Sequence, residues 1–212
     1  MSGTETSQRA FFGRRKGHAL KPRQAALFET LLPQLALDLT KPAPSDLRTL
    51  FAGADTVRLE IGFGGAEHLI EQARNSPHTG FIGSDAFVNG VAKALAAIDA
   101  YKLDNVRLHH GDASELIDWL PGASITRVDL LYPDPWPKRR HWKRRFIQDE
   151  SLKRLARILK SGGELRFATD IGDYATYVLA RVLRSPDFQW TAGRADDWRT
   201  PWPGFSSPRY EA

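Results

Sequence analysis

The sequence predicts an α/β fold, with a mostly parallel β-sheet covered by helices on both faces, and three observations support this. Short apolar stretches typical of strands alternate with segments of helical periodicity from about residue 56 onward. Glycines and acidic residues follow several of the predicted strands. The chain has 212 residues, 42% hydrophobic and 26% charged, which suffices for a globular domain with a substantial core.

The first 45 residues are predicted to be an appendage to a main domain that spans residues 46–212. Residues 11–18 combine an aromatic pair with three Lys or Arg residues. This basic arm is either a solvated tail or a flexible clamp on phosphates, and the sequence favours neither. A short helix is expected over residues 24–32, where Leu and Phe recur four positions apart, followed by a proline-containing linker at residues 41–45.

The main domain is predicted to alternate strands and helices. The predicted strands are residues 57–61, 81–85, 105–109, 128–132 and 164–168. The predicted helices are residues 66–74, 90–98, 114–120, 149–159 and 174–183. The Ser-Gly-Gly segment at residues 161–163 is expected to cap the fourth of these helices. In a parallel sheet of this kind, ligands bind at the carboxyl ends of the strands.

An acidic residue lies at or near the carboxyl end of each predicted strand. The five acids are Glu60, Asp85, Asp112, Asp134 and Asp170. One aspartate in such a place is most simply a helix N-cap, and Asp170 could cap the helix at residues 174–183. Five in succession indicate a ligand site. Asp85 in particular stands about 20 residues after a glycine turn, where an acid can bind ribose hydroxyls.

The glycine turn at residues 62–65 predicts a ligand without a phosphate near the turn. Glycines there let the backbone approach a ligand closely. The dinucleotide fingerprint requires a third small residue, but Glu67 occupies that position, and Glu60 and Glu67 would repel a pyrophosphate. S-adenosyl-L-methionine (SAM) has a ribose, an adenine and a cationic sulfonium, so it suits this turn better than NAD does.

The stretch after the fourth predicted strand combines a rigid acid, an aromatic ring and a cationic run. Asp134 lies between Pro133 and Pro135, which stop any further strand or helix. Trp136 follows, and six of the eight residues 138–145 are Lys or Arg. A charge run alone is usually a solvated surface, but this combination indicates a base-binding pocket beside a phosphate-binding surface. Trp136 either stacks on a base or packs on the sheet.

Three blocks of the sequence are similar to motifs of one enzyme family. Residues 132–141, Tyr-Pro-Asp-Pro-Trp-Pro-Lys-Arg-Arg-His, match F-P-D-P-W-x-K-x-R-H, the most specific block. Residues 60–64 resemble a first SAM motif, and residues 168–170 an A-T-D segment. The chain thus resembles, from about residue 11 onward, the bacterial tRNA (guanine-N7)-methyltransferases of the TrmB type, which are Rossmann-like class I SAM-dependent methyltransferases.

The resemblance implies methyl transfer from SAM to N7 of a guanine in the variable loop of tRNA, at tRNA position 46. It assigns cofactor contacts to Glu60, Gly62, Gly64, Asp85, Asp112 and Asp134, and catalysis to Asp134. It assigns substrate contacts to Lys138, Asp170, Arg209, Tyr210 and Glu211, and RNA contacts to Arg140, His141, Trp142, Lys143, Arg144 and Arg145. Guanine N7 has a lone pair and no proton to lose, so the reaction needs no general base.

The sequence departs from the family pattern at three places. Asp85 stands where the family usually has Glu, and Pro208 stands where it has the threonine of T-[KR]-[FY]-E. Family members also continue past the position of Ala212 into a final strand, so we expect that strand to be missing from this chain.

Charge and composition indicate the partners and the compartment. The net charge of +5 and the pI of about 9.6 favour an anionic partner, here tRNA. No apolar run is long enough to span a bilayer and no signal-peptide core is present, so we expect a cytoplasmic protein without a membrane partner. The chain has no cysteine, and His109, His110 and His141 lack metal-ligand spacing, so no metal is expected. A monomer is compatible with the sequence.

Two other classes of protein stay open at this point. A SAM enzyme acting on a small molecule would leave the basic arm and the run at residues 138–145 without a role. A non-catalytic RNA-binding protein on the same scaffold would not need five acids along a cofactor cleft.

Overall fold

The computed structural model describes residue 13, residues 15–202 and residue 205. Within this part of the chain the strands form one parallel sheet in the spatial order β3-β2-β1-β4-β5. The strands are β1 (Thr56–Ile61), β2 (Thr79–Ser84), β3 (Val106–His109), β4 (Ile125–Leu131) and β5 (Leu159–Ala168). The chain order reverses next to β1, which creates a switch point at its carboxyl end. The predicted α/β fold is confirmed.

Helices connect the strands as the sequence predicts. They are α1 (Pro22–Thr30), α2 (Leu32–Leu35), α3 (Glu67–Asn75), α4 (Val88–Tyr101), α5 (Ala113–Trp119), α6 (Asp149–Ile158), α7 (Gly172–Val182) and α8 (Asp196–Arg199), with short 3-10 helices at Leu47–Leu50 and Arg139–Arg144. None of the helices found in residues 15–202 has the length and apolar character needed to cross a bilayer.

Two apolar cores lie on opposite faces of the sheet. Neighbouring residues of β2 point to different cores, Phe81 to one and Ile82 to the other, as the two-residue period of a strand requires. One core contains buried side chains of α3 and α4, and the other those of α5, α6 and α7. The sheet is therefore covered on both faces, and its carboxyl edge is left for ligands.

The Ser-Gly-Gly segment does not cap a helix, so that prediction is wrong. Leu159 follows α6 directly in an extended conformation and already pairs with Ile125 of β4. The next paired residue of β5 is Glu164, so residues 160–163 bulge out of the pairing with β4. We call this bulge the strand excursion. Gly162 has φ +73° within it, which favours glycine. Pairing with β4 begins directly after the helix, so the two glycines lie within the strand excursion and not at the helix end.

The segment before β1 is tied to the far side of the sheet. Leu37 N–H donates to the carbonyl of Leu108 in β3 at 3.0 Å. Leu35 is buried in the same core as α3 and α4. Farther along, Trp119 Nε1 donates to the carbonyl of Lys41 at 2.6 Å, which anchors the proline-containing linker. The first 45 residues thus include a stretch that covers the β3 edge.

Candidate cofactor and substrate site

The glycine turn between β1 and α3 packs its backbone against α4. Gly64 has φ +53°, a conformation that favours glycine. A Cβ on Gly90 would lie 2.2 Å from the carbonyl oxygen of Gly64, so α4 can approach the turn only with a glycine at that position. Gly62 N–H donates to the carbonyl of Ser84 at 2.8 Å. The turn is therefore held at the carboxyl ends of β1 and β2. Gly90 was not identified from the sequence.

Asp85 fastens this turn to the start of α4. Its Oδ2 accepts from Gly64 N–H and its Oδ1 from Phe87 N–H, both at 2.7 Å. Burial raises the pKa of the Asp85 carboxyl, and the two backbone N–H groups oppose that rise. Each carboxylate oxygen keeps a second lone pair, so Asp85 can still accept hydrogen bonds from ribose hydroxyls.

Glu60 lies within β1 and is buried against a histidine. Its Oε2 is 2.7 Å from Nδ1 of His68 in the first turn of α3, and the two residues are 5% and 2% exposed. Burial raises the pKa of Glu60. Burial lowers the pKa of His68, but the hydrogen bond and charge of Glu60 outweigh it, so this pKa is raised. Nothing in the sequence indicates that a strand acid and a helix residue eight positions later meet.

A small cavity of about 40 Å³ adjoins this pair. It is lined by Glu60, Gly62, Phe63, Gly64, Gly65, His68, Leu131 and Tyr132. Nε2 of His68 is buried and has no hydrogen-bond partner among the described residues. A buried polar atom of this kind usually finds a partner. The floor of the cavity thus offers a carboxylate, an imidazole and glycine backbone, which fit a cationic ligand with polar groups better than a phosphate.

A larger cavity of about 340 Å³ lies at the ends of β2 and β3. It is lined by Arg15, Lys16, Ala86, Val88, His110, Gly111, Asp112 and Glu115. Asp112 is the N-cap of α5, where its Oδ1 accepts from Ser114 N–H at 2.8 Å. The helix-cap interpretation of Asp112 is confirmed, and it is compatible with the predicted ligand contact, because one oxygen caps the helix and the residue also lines the cavity.

The basic arm forms one wall of this larger cavity. Val88 N–H donates to the carbonyl of Arg15 at 3.0 Å. Asn89 makes two further bonds, since its Oδ1 accepts from Gly17 N–H at 2.7 Å and its Nδ2 donates to the carbonyl of His18 at 2.8 Å. The part of the arm that the structure describes is thus docked on the start of α4. Asn89 was not identified from the sequence.

The loop after β4 presents Asp134 to solvent. Tyr132 and Trp136 have φ values of +49° and +40°, which are uncommon for residues other than glycine. Tyr132 N–H donates to the carbonyl of Ala168 at 2.8 Å, so the loop begins against the end of β5. Asp134 is exposed, and its carboxylate makes no hydrogen bond or ion pair within the described residues.

Arg145 is buried, which corrects the prediction that it contacts RNA. Its Nε donates to the carbonyl of Pro135 at 2.8 Å, and a terminal nitrogen pairs with Asp173 Oδ2 at 2.5 Å. Its guanidinium also lies 4.8 Å from the Tyr174 ring and 4.6 Å from the Tyr177 ring. These contacts join the proline loop to α7. The buried guanidinium is stabilised by a carbonyl, a carboxylate and aromatic rings.

The rest of the basic run divides between packing and solvent. Trp142 packs on the Tyr177 ring at 5.4 Å and on Arg145, so it is partly buried. The Trp136 ring lies between Arg144, at 5.0 Å, and His141, at 5.9 Å, and is also partly buried. The exposed cations of the run are Lys138, Arg139, Arg140 and Lys143. These four side chains form the accessible basic surface.

Asp170 is exposed at the end of β5, and the helix-cap interpretation of it is wrong. The N-cap of α7 is Ile171. The Ile171 N–H donates to Thr169 Oγ1 at 3.2 Å. Asp170 therefore stands free of α7 near the proline loop, since β4 and β5 are paired to their ends. The predicted substrate residues Arg209, Tyr210 and Glu211 lie outside the described residues.

The strand ends bring together some of the predicted site residues. Glu60, Gly62 and Gly64 line the small cavity, and Asp112 lines the larger one. Asp85 stands between the two, bonded to the glycine turn. Asp134 lines neither cavity. The described residues contain no group of three His, Asp or Glu side chains arranged to hold a metal ion.

Comparison with known proteins shows that the chain is similar to methyltransferases. The family model described as "Putative methyltransferase" matches residues 54–203. A tRNA (guanine-N(7)-)-methyltransferase from Rhodopseudomonas palustris is 58% identical over 99% of this chain and 84% of its own length. One from Bradyrhizobium diazoefficiens is 56% identical over 97% of this chain and 88% of its own length.

Solved structures show a similar fold. A precorrin-6y C5,15-methyltransferase from Geobacter metallireducens superposes with a TM-score of 0.50 at 21% identity, over 65% of this chain and 66% of its own. At this identity the likeness concerns the fold alone, which is that of a Rossmann-like methyltransferase.

Proposed function

Because this chain belongs to the family of tRNA (guanine-N(7)-)-methyltransferases, we propose that two parts of its sheet edge divide one reaction between them. The protein is an enzyme that transfers a methyl group from SAM to N7 of a guanine in tRNA. We assign SAM to the carboxyl ends of β1, β2 and β3. We assign the guanine to the proline loop and the end of β5. Family membership sets aside the small-molecule and non-catalytic alternatives.

The acids of β1 to β3 would hold the cofactor. SAM supplies an electrophilic methyl group on a positively charged sulfur. Asp85 is fixed by two backbone N–H groups, which supports a role as acceptor for ribose hydroxyls. Asp112 lines the larger cavity and would lie toward the adenine, as the resemblance implies. Glu60 would place a carboxylate near the cationic end of the ligand. These carboxylates fit SAM, because they suit hydroxyl groups and a cation and not a phosphate.

Asp134 would hold the guanine. Its carboxylate is exposed and unpaired within the described residues, so it can accept hydrogen bonds from guanine N1 and N2 groups. A carboxylate there also favours the positive charge that the purine gains on N7 methylation. Asp170 and Lys138 are exposed nearby and would contact the substrate. The exposed cations Arg140 and Lys143 would contact tRNA phosphates.

The enzyme need not remove a proton from its substrate. Guanine N7 offers an in-plane lone pair, so the contribution of the protein is alignment and electrostatics. The rate of methyl transfer should therefore show no basic limb from a substrate proton. This feature separates N7 methylation from methylation of an exocyclic amine.

One observation supports this division above the others, namely that the β1 to β3 acids are bonded within the protein while Asp134 is exposed beside a basic surface. The test uses labelled SAM and two tRNA transcripts that differ only at tRNA position 46 of the variable loop, guanine in one and adenine in the other. We expect label only in the guanine transcript, with the site located by cleavage chemistry specific for 7-methylguanine. Equal labelling of both transcripts would contradict the assignment to position 46, and label on another base would contradict the assignment of N7.

A further inference from the structure

The Glu60–His68 pair is placed to act on a ligand as well as to stabilise the fold. Both residues line the small cavity, and they are joined by a 2.7 Å hydrogen bond. The other ring nitrogen of His68 has no partner among the described residues although it is buried. A buried histidine, whose one side-chain hydrogen bond within the described residues is to a carboxylate, is therefore presented to whatever fills the cavity.

The charged groups around the Glu60–His68 pair belong to β4 and α3. From β4, Arg127 and Asp129 face the pair, but they neutralise each other through a buried ion pair of 2.9 Å. From α3, Glu67 holds its carboxylate over Gly65 in the glycine turn. The paired residue of β2 is Gly83, which carries no charge. The proton of the Glu60–His68 pair therefore changes the net charge beside the cavity.

We propose that Glu60 and His68 share one titratable proton whose loss increases the preference of the site for SAM over its demethylated product, S-adenosylhomocysteine. The inference rests on the proposed function, because it requires the sulfonium end of SAM to lie beside this cavity. His68 acts through Glu60 and is therefore a positioning residue.

The direction of the effect follows from the charges. With its proton the pair is neutral overall, and without it the pair carries one negative charge. Burial raises the pKa of Glu60, and the hydrogen bond and charge of Glu60 raise the pKa of His68, so the pair holds one proton below this raised pKa and loses it above. The sulfonium of SAM is cationic and the product thioether is neutral. A negative charge in a buried site stabilises only the cation, so discrimination should rise with pH.

The first experiment uses the unaltered protein and no turnover. Isothermal titration calorimetry from about pH 6.5 to about pH 9 gives the Kd of SAM and of S-adenosylhomocysteine. We expect the ratio of product Kd to SAM Kd to rise about threefold or more across this range. Repeating the titrations in buffers of different ionisation enthalpy counts protons, and SAM should release more protons than the product does. The amino acid moiety is common to both ligands and largely cancels in these comparisons.

Two variants assign the effect to the pair. His68→Gln keeps a donor for Glu60 but cannot titrate, so the Kd ratio should become independent of pH. His78→Gln is the control, because His78 is exposed just before β2, at the end of the strands opposite to the cavity, and its ratio should rise as in the unaltered protein.

The outcomes separate this inference from the proposed function. A pH-independent ratio with equal proton release in the unaltered protein would overturn the inference, as would a His68→Gln protein that keeps the rise. If His68→Gln does not fold, the proton count in the unaltered protein still decides. Failure of both ligands to bind would instead contradict the assignment of SAM to the cavity.

Discussion

The two parts of the sheet edge hold the acids predicted to bind ligands in opposite ways. We call residues 60–68, 85–90 and 109–115 the cofactor edge, and residues 132–145 and 169–173 the substrate edge. At the cofactor edge Glu60, Asp85 and Asp112 each make a hydrogen bond of 2.7 or 2.8 Å within the protein. At the substrate edge Asp134 and Asp170 are exposed and have no such bond among the described residues.

This difference follows from the size of the two ligands. A small cofactor offers few contacts, so its site gains affinity when its groups are already fixed and lose little freedom on binding. A tRNA brings many phosphates and base edges, and it can order exposed side chains as it docks. We therefore expect substitutions at the cofactor edge to change cofactor affinity, and those at the substrate edge to change rate and tRNA binding.

The largest expected effect comes from Asp134. Asp134→Ala should lower the single-turnover rate of methyl transfer at least ~10²-fold, about 2.7 kcal/mol, since a group that aligns guanine and favours its new charge is lost. The unfolding temperature should not change, because the carboxylate has no partner in the described structure. Asp134→Asn should resemble Ala if charge matters and recover part of the rate if hydrogen bonding alone matters. A rate for Asp134→Ala equal to that of the unaltered enzyme would break the comparison.

Two cations of the basic run, the buried Arg145 and the exposed Lys143, provide the second test. Arg145→Gln should lower the free energy of unfolding by about 2–3 kcal/mol, because the charged bonds to Pro135 and Asp173 are lost. Lys143→Gln should change it by no more than about 0.5 kcal/mol, because Lys143 is exposed. It should instead weaken tRNA binding and make its salt dependence shallower. Urea unfolding measures the free energy of unfolding, and tRNA titration at several salt concentrations measures the affinity and its salt dependence. Equal destabilisation by the two variants would contradict the buried role of Arg145.

At the cofactor edge, Asp85→Ala should raise the Kd of SAM about tenfold, which corresponds to about 1.4 kcal/mol. The variant removes a prospective ribose acceptor and releases the N–H groups of Gly64 and Phe87 from their partner. Binding of tRNA without SAM should stay as it is. Calorimetry with SAM and a gel-shift titration with tRNA give the two values. A loss of tRNA affinity as large as the loss of SAM affinity would show that the edges are not separate.

The smallest expected effect concerns Asn89, which docks the basic arm. Asn89→Ala removes two hydrogen bonds to the arm and should raise the Kd of SAM about threefold by opening one wall of the larger cavity. Lys93→Ala, on an exposed position of the same helix, is the control and should leave the Kd unchanged. An unchanged Kd in Asn89→Ala would show that the wall does not contribute to cofactor binding.

The sequence predicts best what depends on periodicity. The alternation of strands and helices is local, so all five strands were located to within a few residues. The Ser-Gly-Gly segment was misread because glycines suit both a helix end and a strand excursion, and only pairing with Ile125 decides between them. Tertiary contacts overrode the local signal there.

The site was less predictable wherever a side chain's role depends on what packs around it. Arg145 looks like its neighbours in the sequence, but its position beneath Pro135 and beside α7 removes it from the surface. His68 and Asn89 carry no motif, and their partners lie eight and about 70 residues away. The acids were found because each lies at or just after the carboxyl end of a strand, which is a local property. Whether such an acid is fixed or free is a matter of tertiary structure.

The strand excursion at residues 160–163 makes this protein easy to label. Ser161 is exposed, and it lies near the start of β5, whereas the cavities and the proline loop lie at the opposite ends of the strands. The chain contains no cysteine, so Ser161→Cys would introduce a single thiol. A fluorophore or surface tether attached there would leave the carboxyl edge clear. Single-molecule measurements of tRNA arrival and departure could then use the otherwise unaltered chain.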